Sequence, residues 1–417
     1  MSDGEAGSDT APAPMADSII DEGSGPDLLS RVIAGLLLGL ILTCWPLFTA
    51  RAFPHLGLFE IPDIVHLSIA ALLALASTFV VISGGSRRLL WVTTALLGFC
   101  IATDELRLQP WAFEIFVFLI LLALCAPAKA RAGMQLYLVG LYLWAGLHKA
   151  QGEFIDRVVP WFAEPFDFEL SATSTLVVGI GIVVAEAGGG LALLLPPLRR
   201  VAVLVLLATH LGVLLVLGPW GHDWDLNVWP WNVGQALLLW LLFWPERKSG
   251  FGILQRAPKA ILIIAVIVPV LHLGAWWPAN LSHALYAGNY AQPGFLVLQA
   301  GAPVVMKGGQ RDYLAPGLPP PLRDVLEQSL SKRAGEGWGL MRVHDWAVTD
   351  LGATIPPDAR VARRLFWAFC ERAKSRDDLL LIMRPKRVPW VEEDIVVIED
   401  CDGVEQGRQP LPETWPR

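Results

Sequence analysis

Lys149 ends an apolar run, LYLVGLYLWAGLHKAQGEF, with His148 beside it and Glu153 one helical turn further on. Ionisable groups in or at the edge of hydrocarbon are costly, so each invites a functional explanation. A partly desolvated lysine beside an imidazole could act as a base or nucleophile. A lysine at the end of a span can also simply snorkel to the interface, and the residue types alone leave both uses open. Asp104, Arg107 and Gln109 cluster in ATDELRLQPW, where an Asp–Arg pair at i, i+3 either braces the turn or clamps an anionic headgroup. Glu186 precedes Ala187-Gly188-Gly189-Gly190. Glycines let helix backbones approach closely, so Glu186 either pairs across a tight helix crossing or belongs to a polar site. His210 is a core histidine or a site residue opposite that glutamate. Two more segments add polar and aromatic groups: EFIDRVVPWFAEPFDF, with Trp161, reads as re-entrant, and GPWGHDWDLNVWPWN carries His222, Asp223, Asp225, Asn227 and Asn232. No metal-ligand spacing appears in either.

Helices crossing a membrane are needed to position these groups. Of 417 residues, 54% are hydrophobic and 17% charged, and 18 are Trp; soluble domains carry about 25% charged residues. Apolar stretches near the roughly 20 residues that a span needs fall at about 31–50, 64–83, 88–103, 110–127, 133–149, 174–196, 199–218, 230–245 and 259–277. The expected fold is therefore an all-α polytopic membrane bundle of about nine transmembrane helices over residues 29–278. Basic residues occupy alternate loops: Arg87/Arg88, Lys129/Arg131, Arg199/Arg200, and Arg247, Lys248, Arg256 and Lys259. The other loops are acidic or mixed. The positive-inside rule then puts the N-terminus in the cytoplasm and, after nine spans, the C-terminus outside. In that topology Asp104 and Lys149 end outward-running spans. Glu186 and His210 lie about twelve and eleven residues into theirs, near mid-depth at 1.5 Å per residue. One outward-facing cleft is expected to gather all four. Trp111, Trp161, Trp220, Trp224, Trp229 and Trp231 belong to the same side, as an interfacial belt or the roof of a cleft.

Residues 1–28 read as a disordered acidic tail. Asp3, Glu5, Asp9, Asp17, Asp21, Glu22 and Asp27 account for the whole net charge of −7, with too little apolar surface to fold and without the positive start of a signal peptide. No basic patch points to nucleic acid. Residues 279–417 read as a small α+β extracytoplasmic domain, with helices expected at 321–332 and 358–374 and strands near 294–299, 339–349, 378–384 and 394–399. Cys370 and Cys401 are its two cysteines, and an oxidising compartment would allow them to pair.

The segment YLWAGLHKAQGEF resembles the span end of the vitamin K-dependent γ-carboxylase-like, or HTTM, membrane proteins: an aromatic, Ala-Gly, a lysine, then an acidic–aromatic pair. The stretch EAGGGLALLLPPLRRVAVLVLLATHLG is similar too, with an acid before glycine, a basic turn and a histidine in the next span. The outline, over residues 30–245, also resembles the DoxX/MauE group of redox-associated membrane proteins. The resemblance implies that Lys149 is the base acting on a vitamin K-like hydroquinone or another quinone. His148 and Glu153 would tune it, and Glu186 and His210 would bind ligand or relay protons. The segment ATDELRLQPW lacks the histidine the carboxylase has there, so glutamate carboxylation itself is not implied. Expected partners are the lipid bilayer, a lipid or quinone ligand and, for a DoxX/MauE-like accessory without catalysis, a redox protein. A proton-coupled transporter is the remaining alternative; no inverted repeat or broken helix supports it.

Reporter fusions test the topology. Fusions after Arg131, Arg200 and Lys259 should read cytoplasmic and one after Trp415 extracytoplasmic. A cytoplasmic C-terminus would remove the common outward cleft.

Overall fold

The computed structural model describes residues 25–49, 51, 53–245, 250–298, 314–316, 338–373, 376–377, 379–388, 395–403 and 405–410. The chain is mostly helical, with one small sheet. Helices α1 (Gly25–Thr43), α2 (Trp45–Phe48), α3 (Asp63–Ser83), α4 (Arg87–Thr103), α5 (Pro110–Leu124) and α6 (Pro127–Lys149) come first. After α6 a π-helical turn, Phe154–Val158, leads into α7 (Val159–Ala163). Helix α8 (Ala172–Val183) passes through a π turn, Val184–Gly188, into α9 (Gly189–Ala192). Then follow α10 (Arg199–Leu217), α11 (Val228–Phe243), α12 (Gly252–Arg256) and α13 (Lys259–Leu262).

Prolines explain several boundaries. Pro110 and Pro127 open α5 and α6, where the missing N–H costs nothing. Pro46, just after the break at Cys44, separates α2 from α1, so the expected single stretch 31–50 is two pieces. Pro269 lies where the helix after α13 tightens into a 3-10 segment, Val268–Gly274, rather than running on to 277.

Among the described residues three helical stretches are long and apolar enough to cross a membrane by length and composition: Asp63–Ser83, Ala172–Ala192 and Arg199–Leu217. Pro110–Leu124, Val228–Phe243 and Lys259–Gly274 are apolar but shorter. The three long stretches are also poorly covered: Leu72, Phe79 and Ile82 on α3, Val177 and Ile180 on α8, and Leu204 and Leu211 on α10 are exposed. Apolar residues turned outward over whole helices fit a hydrocarbon solvent and not water. By contrast, α6 is buried on most faces and forms the centre of the bundle.

The sheet is antiparallel, in the order β2-β3-β1-β4-β5-β6, with β1 (Gln292–Leu298), β2 (Leu314–Pro316), β3 (Trp338–Arg342), β4 (Leu379–Arg384), β5 (Ile395–Asp400) and β6 (Glu405–Pro410). The expected strand 339–349 is overturned in its second half: Val343–Leu351 is a helix. Val343, Trp346, Ala347 and Leu351 are its buried residues, spaced i, i+3, i+4, i+8 as one helical face. Strand β6 was not anticipated, and the helix expected at 321–332 lies outside the described residues. Helix Ala359–Cys370 lies over the sheet, with Phe366 edge-on and Phe369 tilted against Phe295 at 5.1 and 5.5 Å.

The domain sits on one end of the bundle. Phe53 packs on Trp346 at 4.1 Å, Cys44 Sγ donates to Gly352 O, and Gln109 Nε2 donates to Thr354 O at 2.9 Å. Arg360 and Arg364 both reach Glu105.

Cys370 Sγ and Cys401 Sγ are bonded, closing a 31-residue separation between the helix and the end of β5. Denaturing, non-reducing thiol labelling should therefore find only Cys44, Cys100 and Cys125. A double Cys→Ser variant should lose roughly 3–4 kcal/mol of domain stability in a denaturant titration. Five reactive thiols without reductant would contradict the bridge.

Candidate functional site

Lys149 and Glu186 meet where α6 crosses the π turn of the α8–α9 stretch. Lys149 Nζ donates to Glu186 Oε2 at 2.6 Å and to Ala145 O at 3.2 Å. Lys149 is 4% exposed and Glu186 8%, so this lysine does not snorkel to a surface. Glycines allow the approach: a Cβ on Gly146 would collide with the Ala187 and Val183 backbone, and one on Gly190 would lie 2.9 Å from Leu143 N and Tyr142 Cβ. Glu186 occupies the π turn itself, a departure from α-helix often found at functional positions.

Tyr142 lies two turns before Lys149 on the same face of α6. Its hydroxyl is 2.7 Å from His210 Nε2, and His210 Nδ1 is 2.7 Å from Asn232 Oδ1. Asn232 Nδ2 donates to Val228 O at 2.7 Å. That bond fixes the amide, so Oδ1 accepts and His210 Nδ1 carries a proton. In neutral His210, Nε2 is then the acceptor for Tyr142. The three side chains form one directed run.

Asp104 and Arg107 stand elsewhere. Asp104 is fully buried and accepts from Arg51, from His55 Nδ1 at 3.2 Å and from the backbone N–H groups of Leu56 and Leu106; Arg107 Nε is 3.8 Å away. Burial alone would raise its carboxyl, but Arg51, His55 and Arg107 together hold it well below the carboxylate range. Arg107 donates to Leu47 O, Phe48 O, Cys100 O and Thr103 Oγ1 and meets His66 Nδ1 at 3.1 Å. Its donors are committed to the protein, so it clamps no headgroup.

A cavity of about 560 Å³ separates the bundle end from the C-terminal domain. Trp111, Trp161, Trp224, Trp231, Tyr286 and Tyr290 give it aromatic walls. Gln109, Asn227, Asn232, Asp225, Arg157 and His344 add polar groups. Burial pushes the Asp225 carboxyl up to about 7, against the N–H bonds it accepts from Asn227 and Thr354. Burial also pushes His344 down to about 4. Trp111 Nε1, Asn227 Nδ2, Gln292 Oε1 and His344 Nε2, all on lining residues, have no hydrogen-bond partner. Aromatic walls with a few polar side chains are the usual make-up of a small-molecule site.

The expected single cleft is therefore three neighbouring arrangements. Gln109, Trp161 and Asn232 line the cavity. His222 stacks on Trp161 at 4.1 Å, and its Nε2 is 2.6 Å from Trp161 O, behind that wall. His210 joins the cavity through Asn232. Lys149 and Glu186 form their own pair outside the lining, and Asp104 and Arg107 brace the loop entering α5. His148 and Glu153 do not surround Lys149 as expected. Successive helical residues point about 100° apart, and the His148 ring packs on Trp144 and His272. Glu153 Oε1 faces Arg384 and Arg387 at 3.7 and 3.8 Å. Among the described residues no group of three or more His, Cys, Asp or Glu is placed to hold a metal.

Sequence reasoning passed over Tyr142, Arg51, His55 and Glu114. Tyr142 has a signal in its seven-residue spacing from Lys149, and Glu114 is a lone acid in FEIFVFLILL. Arg51 and His55 give none, because only the fold brings them to Asp104. Comparison of the chain with protein-family models, with curated proteins and with solved structures yields no match.

Truncating one partner of a buried ion pair leaves the other uncompensated, at about 3–5 kcal/mol. Lys149→Met and Glu186→Gln should each destabilise the protein by that order in detergent unfolding, and the double variant should recover most of the loss. Strictly additive single effects would mean that the pair is not coupled.

Proposed function

We propose that the chain is a multi-pass membrane protein of about nine spans, N-terminus cytoplasmic and C-terminal domain extracytoplasmic. We assign it the binding of an amphipathic, ring-bearing lipid of the quinone or hydroquinone class in the cavity under that domain. Helical segments at the nine apolar stretches, the alternation of basic loops and the lipid-like exposure of α3, α8 and α10 support the membrane placement. Aromatic walls accept a planar ring, while Gln109, Asn227, Asn232 and His344 are suited to its oxygens.

The observation that carries the assignment is the run Asn232–His210–Tyr142, which starts at the cavity wall and ends inside the bundle. A ring hydroxyl at Asn232 would stand at one end of a directed series of hydrogen bonds, held by an amide whose orientation His210 and Val228 fix. In the γ-carboxylase-like resemblance Lys149 would be the base. Here its ammonium is committed to Glu186 and is not part of the lining, so base chemistry needs that pair to open towards the ligand. The same separation favours a second function, binding without catalysis in the manner of a DoxX/MauE-like accessory to a redox protein.

Purification in mild detergent, solvent extraction and mass spectrometry test the binding. A quinone or related prenyl lipid should co-purify in near-stoichiometric amount. Asn232→Leu should retain at least tenfold less, equivalent to about 1.4 kcal/mol. Recovery of bulk phospholipid alone, unchanged in Asn232→Leu, would remove the assignment. With the lipid identified, Lys149→Arg separates the two functions: it should keep the ligand in both, and stop turnover only if Lys149 is the base, because arginine stays protonated.

A further inference from the structure

Glu114 sits one turn into α5, inside the apolar run FEIFVFLILL, and is 1% exposed. Its Oε2 accepts from Trp231 Nε1 at 3.0 Å and from Gln235 Nε2, both on α11. Its Oε1 has no partner. Three more buried atoms without partners belong to its neighbourhood: Gln235 Oε1 on the same amide that bonds Glu114, Trp111 Nε1 three residues earlier on α5, and the Tyr137 hydroxyl on α6. Tyr137 packs edge-on against Phe118, one turn beyond Glu114, at 5.2 Å.

A carboxylate here would need a counter-charge, since an isolated ion in apolar packing costs far more than a protein can offset, and such groups neutralise instead. The packed elements supply none. Helix α1 carries only Asp27 and Arg31, in its first two turns, and Arg31 is held by Asp27 and the Val81 and Ile82 carbonyls. Helix α4 offers Arg87 and Arg88 at its far start and the thiol of Cys100. Helix α6 has Lys129 and Arg131 at one end, Arg131 donating to Leu241 O and Leu242 O. At its other end are His148 and Lys149, the latter engaged by Glu186, with Tyr137 and Tyr142 between. Helix α11 contains no charged residue. His283, after the 3-10 turn Asn280–Ser282, faces Tyr137 edge-on at 5.3 Å, and burial keeps it neutral. Among the described residues no cation is paired with Glu114.

We infer that Glu114 is a membrane-buried proton-binding site, which carries a proton on Oε1 and exchanges it with water in the cavity. Trp111 and Trp231 line that cavity and also border Glu114, so they form the partition between the two. In the bound state the group is a neutral carboxylic acid: Oε2 keeps its two donors, Trp231 Nε1 and Gln235 Nε2, and the proton sits on Oε1. Exchange passes the proton from Oε1 to a cavity water and returns another from water to Oε1, so the carboxylate is only a transient. The site is independent of the lipid assignment above, which uses Asn232, His210 and Tyr142.

Infrared spectroscopy of the full chain in lipid nanodiscs at neutral pH is the test. The wild-type protein should show the carbonyl stretch of a protonated carboxylic acid. That band should disappear in Glu114→Gln, persist in Glu186→Gln, and shift when the sample is transferred to D2O. If Glu114→Gln does not fold, wild-type protein made with carboxyl-13C glutamate serves instead: the band must move with the glutamate label, which separates it from Asp225. A band identical in wild type and Glu114→Gln, or unmoved by the label, would overturn the proton site. A glutamate band that stays fixed in D2O would overturn the exchange with the cavity. Neither outcome bears on whether lipid co-purifies.

Discussion

The close crossing of α6 with the π turn at Val184–Gly188 is the constraint from which the rest of the arrangement follows. Two glycines, Gly146 and Gly190, remove the side chains that would hold the backbones apart, and only then does the Glu186 carboxylate reach Lys149. With hydrocarbon around the bundle there would be no water to reward separation of the partners, and lipid tails would not drive the helices together as water does. Close backbone packing and an internal ion pair therefore supply specificity that apolar contact alone would lack. Once α6 is fixed, Tyr142 is directed at His210, and the end of α6 delivers the chain to the segment that borders the cavity.

The second buried charge cluster has a different character. Asp104 is one carboxylate among Arg51, Arg107 and His55, and its hydrogen bonds tie the loop after α2 to the loop after α4. The neighbouring Glu105 then receives Arg360 and Arg364 from the C-terminal domain. Polar bonds at Thr354 from both Gln109 and Asp225 continue the same seam. The cavity lies behind this seam because two surfaces joined at their polar rims leave a gap between them. Its lining mixes the charged Arg157 and Glu164 with His344, which burial keeps uncharged, and Asp225, which burial pushes up to about 7.

Hydropathy located the helical stretches well, since a membrane-like run of apolar residues and its flanking charges are local properties. Helix interruptions were less visible. Pro46 and Pro269 mark two of them, but the π turns at Phe154–Val158 and Val184–Gly188 leave no signature beyond a glycine near each. Val343–Leu351 was misjudged because VHDWAVTDL mixes β-branched residues with a helical stripe, and the stripe prevails once Trp346 has Phe53 and Phe369 to pack on. At the site, Lys149, Glu186 and His210 stood out because charge in apolar sequence is conspicuous. Their partners were not legible. Asn232 was singled out as a polar group but not as the partner of His210, Tyr142 is an ordinary residue until α10 stands between α6 and α11, and the pairing of His148 and Glu153 with Lys149 failed because adjacency in sequence is not adjacency around a helix.

The π turns have a geometric consequence of their own. Each widens the helix by one residue, so the side chains after it are rotated in phase relative to those before it, by about 100°. In the stretch from Ala172 to Ala192 this lets the first part present Val177 and Ile180 outward while the second turns Gly189 and Gly190 inward. One continuous rod thus serves two orientations, and the phase jump falls at the carboxylate. The side chain at that jump, Glu186, is the one that faces α6 and holds Lys149.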